Sequence, residues 1–173
     1  LLLDTTQEFS AIIHFGIGNL YYHQLMSGIQ STVVKSSVGL HSAYKVGEQI
    51  TSVHDDDYAI PLGEFEAAVQ GISKLKADEE IVDYISENAP QQIATIYYKW
   101  ASDWFDKARQ IESYGDEIKD IKRGLKHLKK TIEIDPNHGQ ANLMVKYGKK
   151  MIQEGFSIYD EYGFVAKEIP GAG

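Results

Sequence analysis

Apolar positions recur along this chain every three or four residues, the spacing of one face of an α-helix. Phe9, Ile12, Ile13, Gly16, Ile17, Leu20 and Gln24 form the first such row. Asp4, Thr5 or Thr6 is suited to cap its start, and Glu8 sits where a carboxylate meets the positive end of the helix dipole. The row loosens at Ser27-Gly28 and resumes at Val33, Val34, Val38, Ala43, Val46 and Ile50, which predicts two helices over about 5–29 and 32–53. His54-Asp55-Asp56-Asp57 is expected to end the second, with Pro61-Leu62-Gly63 in the connection that follows. Further helices are predicted from about Gly63 to Leu75 and from Asp78 to Glu87. Pro90 fits the first turn of the next, whose stripe is Ile93, Ile96, Tyr97, Trp100, Trp104, Ala108 and Ile111. Tyr114-Gly115-Asp116 reads as a stop and a cap. In the helix after it, Ile118, Ile121, Leu125, Leu128 and Ile132 oppose a row of lysines. Asp135-Pro136-Asn137-His138-Gly139 is a turn, and a last helix over Gln140–Gln153 ends at Gly155. The aromatic tail from Phe156 is expected to pack back and Pro170–Gly173 to fray. No segment reads as a strand, so the expected fold class is all-α.

The run from Lys129 to His138, with Ile132-Glu133-Ile134-Asp135-Pro136-Asn137 at its centre, resembles the end of a tetratricopeptide repeat. Trp104, Ala108 and Ile111 fall at the aromatic, small and large positions of such a repeat's first helix, and Gly124 and Leu128 at the small and large positions of its second. Thr131 stands where Ala is usual, and the connection from Gly115 to Ile121 is about four residues longer than the repeat allows. The resemblance covers about residues 91–155. It implies antiparallel helical hairpins stacked as a bundle or short solenoid, with residues 1–88 as degenerate repeats or a cap and 156–173 as a tail, all in one helical domain. It also implies a groove lined by first helices, where Phe105, Arg109, Glu112, Leu143 and Tyr147 would meet a protein or peptide partner. The Lys and Asn set of the subfamily that clamps a C-terminal carboxylate is not reproduced, since Phe105 and Arg109 occupy those positions.

Composition changes this picture little. The chain is 43% hydrophobic and 24% charged over 173 residues, ordinary for a globular protein that folds without disulfides or metal. The absence of Cys excludes disulfides, thiolate zinc sites and cysteine nucleophiles. A start at Leu1 rather than Met is expected of a processed or trimmed chain. Phe9 to Val34 contains no Asp, Glu, Lys or Arg, a length that could cross a bilayer. Its His14, Asn19, His23, Gln24 and Gln30 make it too polar to span, and the expectation is instead a helix buried on most sides.

The net charge of −8 argues against a nucleic-acid partner, yet nine of the 17 Lys and Arg lie within residues 119–150. Lys119, Lys122, Arg123, Lys126, Lys129 and Lys130 share one helical face, either a docking site for an acidic partner, nucleic-acid phosphate or anionic lipid or the solvated side of an outer helix. That helix carries no interleaved exposed aromatic, which argues against stacking of single strands. His14 and His23 point to opposite sides of one helix and cannot share an ion. Tyr22, His23, His41 and Tyr44 could line a pocket for a small polar or aromatic ligand, or simply satisfy one another between packed helices. His54–Asp57 matches no metal-loop spacing and reads as a helix cap and solvated turn. No catalytic set, metal site or cofactor is predicted.

Two function classes follow. One is a non-enzymatic adaptor that binds a protein or peptide through a groove. The other is a small-ligand-binding helical protein, such as an exported or transport-associated accessory component. An uncapped repeat also predicts self-association unless the tail covers its apolar end.

Overall fold

The computed structural model describes residues 2–37, 52–111 and 115–173, with the side chains of 2–6 and 28–37 excepted. The described elements are α1 (Leu2–Ser37), α2 (Asp55–Gly71) with a short 3-10 turn (Ile72–Lys74), α3 (Glu79–Ala108), α4 (Glu117–Ile134), α5 (Gly139–Glu154), β1 (Gly155–Tyr159) and β2 (Val165–Pro170). The fold is all-α apart from one small antiparallel hairpin. The described chain divides into two compact units, with divisions within α1, after Ser27, and within α3, between Ile96 and Tyr97; the N-terminal unit takes α1 up to Ser27 and residues from His54 to Ile96. No described helix is long and apolar enough to cross a membrane.

The N-terminal unit packs α1 against α2 and the first part of α3. Ala11, Phe15, Leu62, Phe65, Ala68, Ile85, Ala89 and Ile93 form its core. A Cβ on Gly18 would sit 3.0 Å from the Phe65 ring, so this glycine lets the ring lie on the α1 backbone. Phe15 and Tyr22 meet the same ring edge-on, with centroids 5.7 and 6.2 Å away. Polar links complete the contact: His14 Nδ1 lies 2.6 Å from the Glu64 carboxylate, and the Gln92 amide donates to Asn19 Oδ1 at 2.8 Å.

Several boundaries differ from the sequence-based expectation, each for a physical reason. α1 runs unbroken through Ser27-Gly28, where two helices were expected; residues 38–51 of the second lie outside the described residues. The His54–Asp57 run opens α2 rather than ending a helix. His54 is its N-cap residue and three carboxylates fill the first turn, where the helix dipole favours them. Pro61 is buried inside α2, near enough to its start that one lost backbone bond is tolerated. Pro90 likewise lies inside α3 rather than opening a new helix. Ala89 and Ile93, 0% and 8% exposed, hold the helix together on either side of it.

The C-terminal unit contains α3 from Tyr97, then α4, α5 and the hairpin. Gly115, at φ +87°, turns the chain ahead of Asp116, the N-cap residue of α4. Asp135 Oδ1 accepts from the Asn137 N–H, and the His138 ring accepts from the Ala141 N–H to cap α5. Ala101, Phe105, Ala108, Ile121, Leu128 and Ala141 form the core, with Leu125, Met144, Val145 and Ile152 against it. A Cβ on Gly124 would fall 2.4 Å from the Phe105 ring, and one on Gly148 would fall 2.8 Å from it. The ring fills the space that both residues leave empty.

The hairpin corrects the expectation of a strandless chain with a fraying end. Gly155 closes α5 at φ +80°, where a Cβ would lie 2.2 Å from the Ile169 carbonyl oxygen. β1 and β2 then pair antiparallel, with an irregularity between Ile158 and Tyr159. Ile158 and Ile169 face inward at 7% and 6% exposure. At the tip, Asp160 Oδ1 accepts from the N–H groups of Tyr162 and Phe164, both at 2.9 Å. An ion pair from Lys167 to the buried Glu117 carboxylate holds β2 to the start of α4, and the Ala172 N–H donates to the Ile152 carbonyl.

Because Phe105 serves two helices at once, Phe105→Ala is expected to cost about 3–5 kcal/mol. Gly124→Ala should cost roughly 1–3 kcal/mol by overfilling the same space. Denaturant midpoints at unchanged slope would measure both; a change within a few tenths of a kcal/mol for either would contradict this packing.

Candidate functional site

The surface of the C-terminal unit rests on an electrostatic joint between α3 and α4. Asp120 has no solvent exposure, and its two oxygens are held by Lys107 Nζ at 2.5 Å and Arg123 at 2.7 Å. A carboxylate removed from water needs such pairing, because an unpaired charge there would cost several kcal/mol. Both cations also approach the Trp104 ring, Arg123 at 4.7 Å and Lys107 at 5.7 Å from its centroid. One turn back on α3, Trp100 stacks on His127 of α4 at 3.8 Å. Sequence spacing showed the basic row but not this ladder, since the partners come from different helices.

α3 carries a second charged group close by. Lys99 and Asp103 form a buried ion pair at 2.9 Å, four residues apart. Burial pushes the Asp106 carboxyl up to about 6, with repulsion from Asp103 adding to the shift while Arg109 and Lys99 oppose it. Burial also raises the Tyr98 hydroxyl, and Asp106 contributes to that shift.

The predicted groove residues separate. Phe105 is 5% exposed and belongs to the core, so it shapes the surface from beneath and presents no face to a partner. Arg109 follows the last turn of α3 and is exposed, and Glu112 lies outside the described residues. Leu143 and Tyr147 stand one turn apart on α5, exposed by 47% and 53%. Lys146 and Lys150 are exposed at neighbouring positions, so Leu143, Lys146, Tyr147 and Lys150 make one outward face. This face exists because Ala141 and Gly148 are the small residues that turn inward.

Of the predicted basic face, Lys119, Lys122, Lys126 and Lys130 are exposed on the outside of α4, with Lys129 beside them. Lys119 and Lys130 meet Asp116 and Glu133 only at 4.0 and 3.5 Å. Arg123 departs from the row, committed to Asp120 and Trp104. Of the predicted ligand pocket, Tyr22 is half-buried against Phe65, His23 is exposed, and His41 and Tyr44 lie outside the described residues. A cleft of about 400 Å³ does open nearby, lined by Tyr21, Gln24 and Leu25 of α1 and Asp56, Asp57 and Ile60 of α2. No group of three metal-ligating side chains converges among the described residues.

Burial of α1 differs from expectation in one respect. Phe9, Ile12, Ile13 and Leu20 are 41%, 37%, 49% and 72% exposed, so one apolar face of this uncharged helix is open. The hairpin tip presents Tyr159, Tyr162 and Phe164 at 60%, 77% and 71% exposure. Neither surface was anticipated from the sequence. No known protein family, curated protein or solved structure matches the chain.

The raised pKa of Asp106 fixes a sign for pH dependence. The folded state holds this proton more tightly than the unfolded chain, so Asp106 lowers stability as pH rises from about 4 to about 6 and costs a constant amount above that. Asp106→Asn is therefore expected to raise stability at pH 7.5 by roughly 1–3 kcal/mol, with little gain at pH 4. Thermal melts at both pH values test this; equal shifts at the two would contradict it.

Proposed function

We propose that the chain is a non-enzymatic helical adaptor that captures a protein or peptide partner on its C-terminal unit. The observation that carries this reading is the outward face of α5. A hydrophobic pair, Leu143 and Tyr147, stands on a helix whose inner side is anchored, ringed by Lys146 and Lys150. Tyrosine beside an aliphatic residue is a recurrent anchor of protein interfaces, and a charged rim confers orientation. The fit of Phe105 against Gly124 and the Pro136 reversal between α4 and α5 support a tetratricopeptide-like hairpin as the scaffold.

A second reading, a small polar or aromatic ligand held by the N-terminal unit, is favoured by the cleft between α1 and α2. Tyr21 and Ile60 would supply its apolar walls, and Asp56 and Asp57 would select a ligand bearing a positive charge.

The two readings make separate demands. Leu143→Ala with Tyr147→Ala is expected to reduce capture of a co-purifying polypeptide at least tenfold while leaving the thermal melt unchanged, because both side chains are largely exposed. Capture equal to wild type in quantitative pulldowns would overturn the adaptor. A small molecule released from gently purified protein, and lost in Asp56→Asn with Asp57→Asn, would favour the cleft.

A further inference from the structure

The α5 face has a counterpart of opposite charge on the same chain. On the first turns of α3, Glu80, Asp83, Tyr84 and Glu87 are all exposed, Tyr84 by 59%. Their positions follow the same rhythm as Leu143, Lys146, Tyr147 and Lys150: the first residue, then the third, fourth and seventh after it. Glu79 extends the acidic face toward the helix start, where Ile81 is 42% exposed. No ion pair engages Glu79, Glu80, Asp83 or Glu87 among the described residues. On α5, Lys146 and Lys149 are likewise without an ion pair there, and Lys150 meets Glu154 only at 3.9 Å.

Each face is therefore a helix stripe with a tyrosine near its middle and unneutralised charge around it, of opposite sign. The same polarity extends over their surroundings. Residues 54–91 carry ten Asp and Glu against two Lys, whereas nine of the 17 basic residues lie within 119–150. Two such surfaces attract over roughly a Debye length and then bury their tyrosines against each other.

We propose that the α5 face binds the acidic α3 face of a second copy of this chain. This deepens the adaptor reading, because it rests on that same α5 surface and identifies a partner for it. The two patches differ, so the contact is heterologous: each copy offers one face of each sign, and chains join head to tail. Such a series either closes into a ring or grows as an open filament. Since charge supplies much of the attraction, assembly weakens as salt rises.

The test uses the full chain and charge reversal. Sedimentation equilibrium is expected to show concentration-dependent association, weakened about tenfold or more between about 0.05 and 0.5 M salt. The K146E/K150E variant carries two acidic faces, and the E80K/E87K variant carries two basic ones. Each alone is expected to be monomeric, and their equal mixture is expected to associate as the wild type does. All four positions are exposed, and unchanged circular dichroism melts would establish that each variant is folded. A wild-type chain that stays monomeric throughout overturns the proposal. So does association retained by either variant alone, or a mixture that stays monomeric. Failure of the adaptor reading looks different: a monomeric wild-type chain that captures another polypeptide through Leu143 and Tyr147 preserves the adaptor while removing self-assembly, whereas a wild-type chain that does neither removes both.

Discussion

The C-terminal unit depends on one side chain occupying space that two others have given up. Phe105 of α3 projects into the region where Gly124 of α4 and Gly148 of α5 have no Cβ, and a methyl group at either position would collide with its ring. Three helices are thereby brought within the reach of a single aromatic side chain. The consequences pass outward. With the inner side of α5 fixed at Ala141 and Gly148, Leu143 and Tyr147 have no direction left but solvent. With α4 fixed at Gly124 and Leu128, Asp120 is carried into the seam beside α3, where only two cations make its burial tolerable. The exposed surface is thus a product of the packing beneath it.

Polar groups in this seam confer orientation more than raw stability. An ion pair taken out of water regains in attraction about what it loses in hydration, so the net worth of the Asp120 cluster is modest. Its specificity is larger: sliding α4 by one residue would leave a carboxylate unpaired. Trp104 adds a further constraint, since its ring is covered by Lys107 and Arg123 while its Nε1 is buried with no acceptor among the described residues.

Much of the helical layout was legible because periodicity reports faces directly. The second half read most accurately, with Gly115, the Asp135–Gly139 turn and Gly155 all marking true boundaries. Misreadings clustered where local punctuation was outweighed by tertiary packing. Pro61 and Pro90 read as breaks but lie inside helices whose buried neighbours hold them together. The hairpin was missed although Phe156 to Tyr159 and Val165 to Ile169 flank an Asp-to-Gly turn, because its alternation is short and one-sided. Phe105 was assigned to a groove by counting along a resemblance, and counting cannot tell the inner side of a helix from its flank. Leu143 and Tyr147 were placed by that same count, and both are exposed. The cation–π seam was not legible, since it joins residues from two helices with no sequence signature.

The bond between Asn19 and Gln92 spans seventy-three residues, whereas Phe105 meets Gly124 and Gly148 across segments joined by short turns. Loop closure costs more entropy as the enclosed chain lengthens, so contacts of the second kind form sooner. The contacts around Phe105 thus close shorter loops than the Asn19–Gln92 bond does. From Phe9 to Val34 α1 carries no charge, and Phe15 and Gly18 meet Phe65, their native neighbour, only after the chain through α2 has been made. The stretch of sequence with the greatest need of a partner is the one that waits longest for it, and the hazard of misassembly in this protein is concentrated there.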